Sequence, residues 1–256
     1  MDKTQITDWF KGLQDRICGT LETLDGVGKF QEDLWVRKEG GGGRTRIIQG
    51  DLIEKGGVNF SEVHGTLSEQ AAKALHTQAG TFFATGVSIV LHPKSPMMPI
   101  IHMNVRYFEM NDNIWWFGGG IDLTPHYIVA DDARFFHQSL KNACDKHSDI
   151  YHPKFKKWAD DYFYIRHRQE TRGIGGIFYD RLSHQDGFTK EERWAFTKDI
   201  GESFCPIYIE MAKRNRDLSY TDQQKDWQLH RRGRYVEFNL VWDRGTKFGL
   251  ETNGTT

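Results

Sequence analysis

Residues 99–110 read PIIHMNVRYFEM and residues 113–120 read NIWWFGGG. Side chains alternate across a strand, so His102, Asn104 and Arg106 share one face while Met103, Val105 and Tyr107 share the other. One face suits a core; the opposite one lines up an imidazole, an amide and a guanidinium. A polar row of this kind is common on solvated strand faces. Here it lacks the Lys and Glu that a plain solvent face favours. GVSIVLHP, residues 86–93, repeats the arrangement with Ser88 and His92 on one face.

Working outward, Ile6, Trp9, Phe10, Leu13, Ile17, Leu21 and Leu24 recur at helical spacing, so residues 4–25 read as an amphipathic helix that Gly26 stops. LWVRKEGGGGRTRIIQG, residues 34–50, reads as a hairpin around Gly40–Gly43. Asp131 is placed to cap a helix running to about His147, and Pro153 suits the first turn of another reaching Thr171. GIFYD is a short strand, residues 189–216 are helical, and RYVEFNLVW (234–242) alternates as a strand. Strands joined by short turns, with helices in blocks, predict an α/β layered domain of the α+β type with a largely antiparallel sheet. At 256 residues, one large domain is expected.

Bulk properties narrow the function. Lys plus Arg number 34 against 35 Asp plus Glu, which argues against broad nucleic-acid wrapping or charge-held membrane binding. No apolar run approaches a spanning helix. Cys18, Cys144 and Cys205 form no Cys-x-x-Cys pair, so a reduced compartment is the simplest expectation. The amino terminus lacks an apolar signal core, and a cytoplasmic location is expected. The 8 Trp, 9 Tyr and 17 Phe could fill core layers or line a pocket for a large flat ligand.

Several groups could carry chemistry. In NIWWFGGGIDLTP three glycines bare the backbone just before Asp122, which could serve a ligand or merely cap a turn. His92, His102, His137 and His167 could converge on a divalent metal or stay separate as hydrogen-bonding groups, and no H-E-x-x-H spacing decides the matter. In YIRHRQETRGIGGIFYDRL, arginines beside Gly173, Gly175 and Gly176 suit carboxylates or phosphates, or a helix C-cap.

Taken together, GVSIVLHPKSPMMPIIHMNVRYFE, WWFGGGIDLTPHY, DDYFYIRHRQETRGIGGIFYDRL and RGRYVEFNLVWDRGTKFGL are similar to the motifs of aerobic coproporphyrinogen oxidases. GGGGRTR and EKGGVNFSEVHG resemble that family's early segments, so the resemblance spans about residues 35–254. It implies a homodimer built on a broad, flat antiparallel sheet with helices on both faces. The implied reaction converts coproporphyrinogen III to protoporphyrinogen IX by decarboxylating the ring A and B propionates with dioxygen. By the same resemblance His102 is the proton donor, Asp122 the catalytic carboxylate, and Arg106 and Arg172 serve substrate or catalysis. Ser88, Asn104, Val105 and Arg106, with Asn253, Gly254 and Thr255, fall at substrate-binding positions. No cofactor is required, although His92, His102, His137 and His167 match positions credited with a divalent metal in bacterial members. The family pattern carries an arginine where Thr255 stands and continues past FGLETNGTT, so the chain reads as truncated there.

In such a site Asp122 would accept hydrogen bonds from the pyrrole N–H groups, and arginines would hold the propionates. Rival readings are a metal-dependent oxygenase acting through the histidines, a non-catalytic tetrapyrrole or haem carrier, and, least favoured, a phosphate-binding module.

Overall fold

The computed structural model describes residues 1–67, 72, 80–111 and 114–251. Its centre is a seven-stranded sheet of β1 (Gln31–Val36), β2 (Gly41–Ile48), β3 (Ile53–Thr66), β4 (Thr81–Pro93), β5 (Ile100–Met110), β6 (Ile114–Thr124) and β9 (Gly176–Leu182). The strands stand side by side in that order and every pair is antiparallel. Two short strands, β7 (Tyr164–Ile165) and β8 (Glu170–Thr171), form a separate hairpin.

The first face of the sheet is the core. Helix α1 (Lys3–Asp25) opens with a capping box between Asp2 and Gln5 and ends at Gly26, whose φ of 86° lies in the left-handed region glycine tolerates. Its Ile6, Phe10, Leu13, Ile17 and Leu21 are buried with Val87, Ile89 and Leu91 of β4. Each such side chain contributes about 1.5–3 kcal/mol. Helix α4 (Lys190–Asn215) starts with a second capping box, Thr189 with Glu192, and buries Phe196, Ile200 and Phe204 in the same core. Between them in sequence, α2 (Ala130–Asp145) packs on α4, and α3 (Tyr151–Tyr162) packs along β9. The expected alternation holds: Met103, Val105 and Tyr107 are fully enclosed here.

The second face carries α5 (Asp222–Val241), followed by α6 (Arg244–Glu251). A clamp fixes α5 to one end of the sheet: Arg232 Nη1 and Lys225 Nζ both donate to Glu54, at 2.6 and 2.9 Å.

Three expectations are corrected. Residues 234–242 belong to helix α5, not to a strand. Thr221 and Gln224 form a capping box that starts the helix, and Gln228, Tyr235 and Phe238 are the residues it buries. The two-residue alternation in RYVEFNLVW is incidental to that packing. Helix α3 stops at Tyr162, because between Phe163 and Thr171 only Ile165 is apolar and buried; the chain turns through Gln169 at φ 53° and returns as β8. Gly41–Gly43 lie inside β2, and the turn is made by residues 37–40. Gly43 is bare because the Trp35 indole lies over it, 2.4 Å from where a Cβ would sit.

One loop crossing is held by a buried carboxylate. Asp25 accepts backbone N–H bonds from Gly28 (2.7 Å), Asp51 (3.1 Å), Leu52 (2.9 Å), Ile53 (2.9 Å) and Val27 (3.3 Å). Burial pushes its pKa up, but these donors outweigh burial and hold the carboxyl below its usual range.

Candidate functional site

Strand register assembles the site. Across β4, β5 and β6, three rows share the face opposite the core: Gly86, Arg106 and Gly118; Ser88, Asn104 and Gly120; Val90, His102 and Asp122. The rows continue onto β3 as Ser61, Asn59 and Gly57. The result is a wide floor of glycines and short polar residues. At one rim stand the near-parallel rings of Phe82, Phe108 and Trp116, with centroids 5.9 and 4.3 Å apart. At the other end lies Asp122.

Asp122 is enclosed between two partners. His102 Nδ1 is 2.8 Å from Oδ1, and Arg172 Nη2 donates to Oδ2 at 2.6 Å. Burial alone would raise the Asp122 pKa; the Arg172 charge and then His102 outweigh it and hold the carboxyl below its ordinary range. With the carboxylate ionised, Nδ1 carries the imidazole hydrogen and Nε2 is left as acceptor. The His102 side chain is 30% exposed against 5% for Asp122, so the dyad reaches the floor through the imidazole.

Arg172 owes its place to the β7–β8 hairpin. Its backbone N–H bonds Phe163 O at 2.9 Å, closing the loop and turning the side chain inward. There the guanidinium stacks on Phe163, Tyr235 and Phe238, at 4.2, 4.5 and 4.8 Å from the ring centroids, and donates to Asn239 Oδ1 at 2.9 Å. The aromatic cage desolvates the cation, and Asp122 keeps it charged. Phe163, Tyr235, Phe238 and Asn239 escaped sequence reasoning because three of them sit on the segment misread as a strand. The Thr221–Gln224 capping pattern was the signal that could have found them.

The remaining expected residues divide. Ser88, Asn104 and Arg106 are half-buried on the floor, with Arg106 Nη2 bonded to Asp180 Oδ1 at 2.9 Å. Val105 points into the core, so its side chain cannot meet a ligand on that floor. Asn253, Gly254 and Thr255 lie outside the described residues. The glycines beside Arg172 serve the backbone: Ile174 N bonds Leu123 O and Gly175 O accepts from Leu123 N, both at 3.0 Å. At Gly173 a Cβ would come within 2.3 Å of Leu123 O.

The four histidines are not brought together as a ligand set. His92 sits edge-on to Tyr235, its pKa pushed down to about 4 by burial and then by Arg232. His137, on α2, has Nε2 3.1 Å from Ile174 O. His167, in the β7–β8 turn, contacts Glu237 at 2.6 Å and accepts the Trp242 indole N–H at 3.1 Å. Among the described residues, no three His, Cys, Asp or Glu side chains gather as a metal ion would require. The arrangement therefore does not fit the divalent-metal assignment.

Two cavities of about 540 Å³ lie elsewhere. One is lined by residues including Lys11, Glu62, His64 and Phe83, the other by residues including Tyr127, Trp227 and His230. Asp122 lines neither and is 3% exposed, so the carboxylate itself is shielded from solvent. What the arrangement offers is an imidazole presented by a buried carboxylate, next to a guanidinium, beside a floor rich in glycines and short polar residues. Such a set can move a proton and bind carboxylates.

A sequence profile of the family described as coproporphyrinogen III oxidase matches residues 5–256. An oxygen-dependent coproporphyrinogen-III oxidase, mitochondrial, of Rattus norvegicus is 52% identical over 99% of this chain. Relatives named oxygen-dependent coproporphyrinogen-III oxidase from Prochlorococcus marinus and a Synechococcus strain are 48% and 49% identical over 95% and 96% of it. The chain spans 60% of the length of the rat relative, and 77% and 74% of the other two.

Proposed function

The chain belongs to the coproporphyrinogen III oxidase family, and on that premise we propose that it oxidatively decarboxylates the ring A and B propionates of coproporphyrinogen III with dioxygen, giving protoporphyrinogen IX. The observation that carries this reading is the floor with Arg106 and the exposed edge of His102 upon it. Its glycine rows leave room for a wide macrocycle, and Arg106, with Ser88 and Asn104, holds the acidic arms by charge-assisted and neutral hydrogen bonds. Asp122 acts through His102 rather than by touching the ring. It fixes the imidazole tautomer and orientation.

For each arm the balance is R–CH2–CH2–COOH + O2 → R–CH=CH2 + CO2 + H2O2. The electron-rich pyrrole itself supplies electrons to dioxygen. The resulting pyrrole-bound peroxide takes the propionate β-hydrogen as a proton, the C–H electron pair moves into the ring as the pyrrole–oxygen bond breaks, and hydrogen peroxide leaves with the carboxyl proton. Carbon dioxide then departs, and the electron pair of the broken carbon–carbon bond completes the vinyl group. His102 is placed to relay a proton, and Arg106 to select which arm reacts.

The same reading makes the protein a homodimer. Leu229, Val236 and Leu240 form an exposed apolar stripe along α5 that a second copy would cover. A cytoplasmic location accords with three free cysteines.

The test is incubation with coproporphyrinogen III in the presence and absence of dioxygen, followed by oxidation and fluorescence identification of the porphyrins. Oxygen-dependent protoporphyrin with carbon dioxide release is expected. Tight binding with no carbon dioxide released would make the protein a carrier, and no binding would remove the tetrapyrrole reading altogether.

A further inference from the structure

The pairing of β6 with β9 contains a bulge at the edge of the floor. Gly119 pairs with Tyr179 and Phe117 with Leu182, so Gly118 alone faces both Asp180 and Arg181. The extra residue is accommodated by Arg181 at φ 53°, a left-handed conformation that a non-glycine residue adopts at a cost. Its effect is to turn two consecutive side chains toward one face. The Asp180 carboxylate reaches Arg106, the Arg181 guanidinium lies 5.6 Å from the Trp116 ring centroid, and Leu182 returns to the core. Bulges beside functional sites commonly re-aim side chains in this way.

Gly118 completes the arrangement. A Cβ there would come 2.6 Å from Asp180 Oδ1 and 2.8 Å from Arg106 Nε, so the ion pair lies directly over bare backbone. Arg106 donates through Nη2 to Asp180, while Nη1 is only 3.5 Å from Asn104 Oδ1, a marginal contact. One edge of the guanidinium is thus anchored and another remains for a ligand.

We propose that Asp180 is a positioning residue for substrate binding: it holds Arg106 flat over Gly118 with a donor edge directed at a substrate carboxylate. This deepens the function proposed above and rests on it. An arginine on a flexible stem loses rotamer entropy when it binds, and a partner that orders it beforehand removes part of that loss. Asp180 also places a negative charge beside the arriving carboxylate. Orientation dominates over that repulsion, because the Arg106 and Asp180 side chains are 39% and 29% exposed and water screens their charges.

The experiment measures KM for coproporphyrinogen III at saturating dioxygen, and Kd for the oxidised, non-reacting coproporphyrin III, in the unaltered chain and in Asp180→Asn and Asp180→Glu. Asp180→Asn is expected to raise both KM and Kd about fivefold, roughly 1 kcal/mol, with kcat within twofold. Asp180→Glu should recover most of the loss. Unchanged KM and Kd in Asp180→Asn would overturn the inference, as would a fall in kcat alone, or a loss that Glu does not relieve. If the unaltered chain neither turns over nor binds these tetrapyrroles, it is the functional reading that fails. If it does both, the variants judge Asp180 by itself.

Discussion

Asp25 and Asp122 are both buried carboxylates, 5% and 3% exposed, and both are held below the usual carboxylate range. Their partners differ. Asp25 is surrounded by backbone N–H groups from two loops, which cannot titrate and scarcely move. Asp122 is satisfied by side chains, one an imidazole that reaches solvent and the other a cation in an aromatic cage. Five fixed donors make a staple. A partner able to gain or lose a proton makes a relay. Depressed pKa values alone would not have separated the two.

The comparison breaks most sharply at Asp122. Asp122→Asn is expected to lower kcat about a thousandfold and to cost roughly 3–5 kcal/mol of stability, because Arg172 is left buried with its charge uncompensated. Oxygen-dependent product formation and denaturant unfolding read the two losses. His102→Gln should lower kcat by about a hundredfold with a stability change under about 1 kcal/mol, since the imidazole is partly solvated. If His102→Gln kept normal turnover, the relay would be no more than a second staple.

Asp25→Asn sharpens the other half. The amide can replace only one acceptor oxygen and sets its NH2 against donors, so a loss of about 3 kcal/mol is expected in denaturant unfolding. Specific activity of the folded fraction should stay unchanged. The smallest of these effects is pH-dependent and involves His126, which is 6% exposed and has its pKa pushed down to about 4 by burial and then by Arg232. Between about pH 6.5 and 4 the unfolded chain binds a proton there that the native one does not, so stability falls as pH falls through that window. The loss is of the order of 2–3 kcal/mol. His126→Gln should make the fall across that interval shallower, leaving the share carried by His92. For both carboxylates the sign is that of a depressed acid: their stabilisation is present above the unfolded-state pKa and disappears as pH falls through the folded one, below the histidine window. Asp25→Asn should therefore lower the plateau above that range and flatten only the more acidic slope, where the two curves converge.

Much of the floor was legible in the sequence because strand alternation is local. His102, Asn104 and Arg106 fall on one face by counting, and Ser88 joins them by the same rule. Glycines 118–120 also pointed to a bare surface. Partnerships across the fold were not legible. Nothing local says that Arg172 will find Asp122, since the hairpin at Gln169 decides it, and the helical α5 supplies most of the cage. Alternation in GIFYDRL does put Phe178 and Asp180 on one face, but the bulge that carries Arg181 to that side shows only once β9 is paired with β6. The histidine set failed for the same reason, because likeness of residue type carries no information about distance.

The order of the strands has a consequence for how the molecule is made. From β1 to β6 each strand pairs with its successor in the chain, so the pairings are local in sequence, the longest connection being that from Thr66 to Thr81. β9 joins only after the long excursion through α2, α3 and the β7–β8 hairpin, and Arg172 arrives with it. During refolding the meander is expected to acquire hydrogen-exchange protection first, with β9 and the Arg172 loop following; simultaneous protection in pulse labelling would contradict that sequence. On this order the newly made chain forms a recognition surface before it acquires the charge that keeps Asp122 ionised, and competence for chemistry is the last thing folding confers.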